Sequence, residues 1–163
     1  MKMEENSRNA QHLLEVEHLR TSFFMENREV KAVNDVSYYV DEKEIVAVVG
    51  ESGCGKSVTQ MSVMQLIPTP PGRILGGKVL WNGEDLLHYS QRDMQRVRGA
   101  EISMIFQEPM TSLNPVYTVG QQLTEVIRTH MKVSKKEAWD IGIEALKAVG
   151  IPDPAARMNN YPF

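Results

Sequence analysis

The octet Gly50-Glu51-Ser52-Gly53-Cys54-Gly55-Lys56-Ser57 constrains this chain more than any other feature. It matches G-x-x-x-x-G-K-[ST], which needs a strand before it and a helix after it. Both are predicted. Glu44 to Val49 carries the apolar run Ile45-Val46-Ala47-Val48-Val49, and a strand apolar on both faces belongs inside an α/β sheet. After the octet, Val58, Met61, Met64 and Ile67 recur every three residues. That spacing predicts a helix from Lys56 to Ile67, stopped by Pro68.

The residue types fit anion binding. Glycines let consecutive N–H groups converge on one anion, and a helix N-terminus adds unpaired donors and a positive dipole end. Lys56 is a point charge able to reach β- and γ-phosphates. The Ser57 hydroxyl suits Mg²⁺, which prefers oxygen ligands. The alternative is a glycine-rich connection, which gives no reason for Lys-Ser at this register. Cys54 reads as a position lending only its backbone. A helix N-terminus can lower a thiol pKa, yet no sequence neighbour makes Cys54 a nucleophile.

Leu13 to Leu19 and Val36 to Val40 alternate with period two and predict half-buried strands around a turn at Met25-Glu26-Asn27-Arg28. Lys78 to Trp81 predicts a short strand ended by the turn pair Asn82-Gly83. Ser90 can cap a short helix ending near Gly99, and Glu101 to Phe106 predicts another strand. Thr118 can cap a helix with apolar face Val119, Leu123, Val126 and Ile127. Ser134 and Glu137 form a capping-box pattern for the next helix, whose face is Ala138, Ile141, Ala145 and Val149 and which Gly150 and Pro152 end.

Composition excludes several classes. Across 163 residues the net charge is −3, which gives no electrostatic case for nucleic-acid binding. Arg92, Arg96 and Arg98, and Lys132, Lys135 and Lys136, lack interleaved aromatics and read as solvated helix faces. One cysteine excludes an intrachain disulfide and a Cys-rich zinc site. The polar start MKMEENSRNAQ has no apolar h-region. The five-residue apolar run is far below the roughly 20 residues needed to span a bilayer.

A second motif narrows the reading. In Ile105-Phe106-Gln107-Glu108-Pro109 a strand ends and a glutamine opens a loop. Alone it is an ordinary strand-end Gln. With the octet it resembles the ATP-binding cassette ATPases. Met104 to Gln122 (MIFQEPMTSLNPVYTVGQQ) and Val149 to Phe163 (VGIPDPAARMNNYPF) are similar to the oligopeptide/dipeptide importer branch. Importers of related solutes such as nickel complexes or glutathione share much of this pattern.

The resemblance implies an α/β fold: a P-loop NTPase core with a β-rich N-terminal layer and the start of a helical subdomain. It divides the chain into a tail (1–12), the P-loop and Q-loop part (13–118) and the helical start (119–163). It implies ATP and Mg²⁺ as cofactors, held by Gly50 to Ser57, with Ser57 and Gln107 as metal ligands. Phe23, with Phe24 as rival, matches the adenine-stacking aromatic, and core packing is an equal reading for Phe23. Implied partners are a second ATPase subunit, membrane permease subunits facing the segment after Gln107, and indirectly a substrate-binding protein, at the cytoplasmic face of the membrane.

The family's signature, Walker B aspartate, catalytic glutamate and switch histidine find no match. Glu84-Asp85 lies before the Q-loop and is separated from its apolar run by Asn82-Gly83. His12, His18, His88 and His130 all lie upstream of the switch position and read as structural or solvated. The expectation is therefore a module that binds Mg·ATP without turning it over, from a parent subunit that hydrolyses it. Heptads that would mark a DNA-repair ATPase are absent. Lys43 stands where the family has Gly; a positive φ there would cost Lys about 1–2 kcal/mol, and the turn is read as tolerating it. The strands that lie between the P-loop and Q-loop strands in the family are missing, which is expected to leave sheet edges unpaired or a gap.

Overall fold

The computed structural model describes residues 12–26, 28–108 and 112–163. Most of the expected tail, together with Asn27 and Pro109, lies outside them. The chain forms two compact units, one through Gln95 and one from Arg96.

The first unit is built on an antiparallel sheet. Strand β1 (Leu14–Met25) pairs with β2 (Arg28–Val40) and with β3 (Gly72–Trp81), and β3 pairs with the two-residue β4 (Glu84–Asp85), giving the order β2-β1-β3-β4. The period-two alternation of 13–19 and 36–40 sets this pairing, and the strands run further than it alone predicts. Asn82-Gly83 closes the β3–β4 hairpin, with both residues at positive φ. Val16, Leu19, Val79 and Leu86 are buried between the sheet and what covers it.

A bulge interrupts β1 between Val16 and Thr21. There His18 and Asp35 both take positive φ and meet at 2.8 Å. Gly77 of β3 faces this bulge at φ 102, and a Cβ on it would lie 2.6 Å from the Cα of Leu19 and 2.6 Å from the carbonyl oxygen of Glu17. Only glycine fits.

Helix α1 (Lys56–Val63) starts at the predicted residue and ends early. Its end is a Schellman closure: the Leu66 N–H donates to the Met61 carbonyl and the Gln65 N–H to the Ser62 carbonyl, with Gln65 at φ 50. Gln65, not Pro68, therefore terminates the helix. Its buried residues are Thr59, Ser62 and Val63 rather than the predicted Val58, Met61, Met64 and Ile67 stripe. Of that stripe, Met64 and Ile67 are buried, but beyond the last helical residue.

Two predicted strands do not form. Residues 44–49 belong to no ladder, with Ile45 96% and Val49 87% exposed. Residues 101–106 contribute only an isolated bridge, Arg98 to Ile102, and Ile105 is 93% exposed. A strand exists only as half of a ladder. Among the described residues neither segment joins a ladder, so their apolar character finds no sheet to enter.

A short 3₁₀ turn (Leu86–His88) leads to α2 (Gln91–Val97), where the Asp93 N–H donates to the Ser90 hydroxyl as the sequence predicts. The second unit packs α3 (Val119–His130) on α4 (Lys135–Ala148), followed by α5 (Pro154–Arg157). The predicted Ser134–Glu137 capping box forms, and Thr118 caps α3 as predicted, with Gln121 completing a second box. Gly150 at φ 77 closes α4.

The helix faces match the predicted ones only in part. Ala138 is buried as predicted, but the other buried positions are Gly120, Thr124 and Gly142, while Val126 is 58% and Val149 74% exposed. Close approach explains it. A Cβ on Gly120 would lie 2.6 Å from the Trp139 ring, and one on Gly142 2.7 Å from the Met158 methyl. Fully buried Met158 and the ring of Trp139 thus fill space that only glycine leaves open.

Candidate functional site

The octet forms a loop that folds around its own lysine. The Lys56 ammonium donates to the carbonyls of Gly50 and Glu51, both at 2.6 Å, and lies 3.6 Å from the Cys54 sulfur. Gly53 (φ 80) and Gly55 (φ 95) take backbone conformations that L side chains rarely adopt. Gly55 has a second reason to be glycine, because a Cβ there would drive into the Ala32 carbonyl oxygen of β2. On Gly50, a Cβ would lie 2.7 Å from the Cys54 sulfur.

Gly55 is the N-cap of α1 and offers no side-chain cap. The first N–H groups of the helix therefore face the loop without a side-chain acceptor. Glu51, Ser52, Gly53, Cys54 and Ser57 are exposed at the rim. A cation inside the loop, an uncapped helix start and a solvent-facing hydroxyl are the kinds of group from which an anion site is built.

Several residues that sequence reasoning missed hold this helix in place. The Thr59 hydroxyl donates to the Gly55 carbonyl (2.9 Å), which also accepts the Thr59 N–H (2.8 Å). The Ser62 hydroxyl donates to the Val58 carbonyl (2.7 Å) and lies 2.8 Å from the Thr21 hydroxyl of β1. Tyr38 of β2 donates to Gln60 (3.2 Å). Burial pushes the Tyr38 phenol above its ordinary value, partly opposed by the Gln60 bond. The available signal was a pair of hydroxyls three apart inside a predicted helix.

The other predicted residues stand as follows. Phe23 lies two residues before the end of β1, half-buried and paired with Val30 and Gly72, its ring edge against Gly72. Phe24 is more exposed, with the Arg73 guanidinium 5.5 Å from its ring centroid. Gln107 is exposed, at a bend in the second unit. Lys43 takes φ 62, a left-handed conformation at the position where the family has Gly. His12, His18 and His88 sit at surface pairs with Asp41, Asp35 and Asp85.

Among the described residues no three His, Cys, Asp or Glu side chains gather to hold a metal. Among the described residues no helix is long and apolar enough to cross a membrane.

Residues 33–162 match the family model described as ABC transporter. The chain is 51% identical over 150 residues to the oligopeptide transport ATP-binding protein OppD of Bacillus subtilis, covering 92% of this chain and 42% of that protein. It is 47% identical to the dipeptide transport ATP-binding protein DppD of the same organism, covering 92% and 45%. A probable peptide ABC transporter ATP-binding protein of Sinorhizobium fredii is 46% identical and covers 99% and 48%. The chain thus spans about half the length of the curated relatives it matches. In fold it is similar to the bacterial ABC transporter cassette MJ0796, solved as a dimer, with TM-score 0.76 at 19% identity over 91% of this chain and 60% of that one. The motif, the fold and these relatives agree, and the chain belongs to the ABC transporter family.

Proposed function

We propose that this chain is the nucleotide-binding part of a peptide importer's ATP-binding subunit, holding Mg·ATP on Gly50 to Ser57. The observation that carries the reading is the Lys56 ammonium, held inside a glycine loop at the uncapped start of α1. The peptide assignment rests on the relatives, whose names include oligopeptide and dipeptide transport.

The roles follow from the chemistry of each group. Lys56 exchanges the Gly50 and Glu51 carbonyls for phosphate oxygens, trading neutral acceptors for charged ones. The amides of the loop and of the first turn of α1 bind the remaining oxygens. Ser57 supplies a hydroxyl oxygen to Mg²⁺, and Gln107 a neutral amide oxygen. Bound there, Mg²⁺ neutralises charge on the terminal phosphates. Phe23 is the adenine-stacking candidate. We assign the exposed segment after Gln107 to a membrane permease and a second ATPase subunit to the open side of the loop, at the cytoplasmic membrane face. The dimeric form of the related cassette supports the second assignment.

Titration calorimetry with Mg·ATP tests the reading. The chain binds, and Lys56→Ala weakens binding at least about tenfold, the scale of a hydrogen bond to a charged group. Equal affinity in the two proteins refutes it.

A further inference from the structure

We infer that Thr59, Ser62 and Thr21 are positioning residues that aim the Lys56 backbone N–H into the phosphate loop. The inference rests on the nucleotide reading for its consequence, but its geometry stands on this chain alone.

The starting point is a weakness of the loop. Gly55 sits at φ 95, ψ 2. Without a Cβ, sterics do little to fix the plane of the peptide that follows it. That peptide joins the Gly55 carbonyl to the Lys56 N–H, and because it is planar and trans the two groups point in opposite directions. Whatever holds the carbonyl aims the N–H. The carbonyl is held twice, by the Thr59 N–H at 2.8 Å and the Thr59 hydroxyl at 2.9 Å.

The hold extends backward by the same logic. The Thr59 N–H shares its peptide plane with the Val58 carbonyl. That carbonyl accepts the Ser62 hydroxyl at 2.7 Å. A serine hydroxyl has one proton, so with that proton on Val58 its oxygen accepts from Thr21, 2.8 Å away. Thr21 and Ser62 are fully buried, and Thr59 nearly so.

The result is a continuous relay. It runs from the Thr21 hydroxyl to Ser62, to the Val58–Thr59 peptide, to the Gly55–Lys56 peptide, and ends on an N–H facing the loop. Each bond polarises the next in the same sense. The relay therefore both orients the Lys56 N–H and makes it a better donor to an anion. It also explains why α1 buries hydroxyls where its sequence offers methionines.

Thr59→Val tests this directly. It keeps the β-branched shape and removes only the hydroxyl, while the Thr59 N–H still serves the Gly55 carbonyl. The expected result is a Kd for Mg·ATP raised about fivefold to tenfold, the scale of one hydrogen bond. The denaturation midpoint should stay close to wild type, and the Lys56 amide resonance of the nucleotide-free chain should shift. Thr59→Ser, which restores the hydroxyl, should return both readouts. A purely structural role would move the midpoint and leave the Lys56 amide in place. An unmoved Lys56 resonance in Thr59→Val overturns the inference. So does wild-type affinity in that variant. If wild type fails to bind Mg·ATP while the Lys56 amide still shifts, the nucleotide reading fails and the relay stands.

Discussion

Removing the Ser62 hydroxyl should cost more than removing both Ser62 and Thr21 hydroxyls together. In wild type the Thr21 proton is satisfied by Ser62, and neither side chain reaches solvent. Ser62→Ala strands the Thr21 donor in the interior, and an unsatisfied buried polar group costs about 1–3 kcal/mol. Adding Thr21→Val removes the stranded group with an isosteric apolar side chain, suited to a strand position. The double variant then loses only the net worth of the bonds, about 1 kcal/mol. The cycle predicts a favourable coupling between the two substitutions of about 1–2 kcal/mol, far above the few tenths expected of independent sites. Chemical denaturation of the four proteins measures it, with the slope against denaturant checked for constancy. A double variant as unstable as the sum of the singles would refute the relay.

Three further predictions concern other parts of the chain. Gly77→Ala should destabilise by more than about 2 kcal/mol, because φ 102 and the 2.6 Å approach to the Leu19 backbone both oppose a Cβ; a melt within a degree of wild type contradicts this. Lys43→Gly should stabilise slightly, by up to about 1 kcal/mol, as relief of the φ 62 turn outweighs the added unfolded-state entropy; a lower denaturation midpoint would be the opposite result. The Glu137 carboxyl is held below its ordinary range by bonds from the Ser134 hydroxyl and backbone N–H. Its contribution to stability is present above the unfolded pKa and is lost as pH falls through the lower folded value, so Glu137→Gln should flatten the acid limb of a stability–pH profile.

What the sequence shows clearly is what local chemistry decides. Thr118 caps α3, and Ser134 with Glu137 caps α4, as expected, because a cap closes within one turn. Asn82-Gly83 turns the hairpin, and the octet forms its loop, for the same reason. The failures are non-local. The alternation in 101–106 and the apolar run in 44–49 suit a strand, but pairing needs a neighbour that their own residues do not specify. Counting apolar residues finds the buried Ala138 but puts the exposed Val126 and Val149 on the buried faces of α3 and α4. Contact there is set by Gly120 and Gly142, whose value is the absence of a side chain. On α1 the buried stripe is hydroxyl-bearing, since Thr59 and Ser62 each find an acceptor one turn back. The helix ends on Gln65 in a left-handed turn, a place usually given to glycine.

The central claim is that Gly50 to Ser57 cradles a phosphate chain, with Lys56 at its inner end. The most direct test is the affinity of the chain for AMP, ADP and ATP in the presence of Mg²⁺, measured for wild type and Lys56→Ala. The account predicts affinity rising from AMP to ATP, with the Lys56→Ala loss largest for ATP, because the ammonium serves the terminal phosphates. Equal affinity for all three nucleotides, or a rise with phosphate number that persists undiminished in Lys56→Ala, would contradict it.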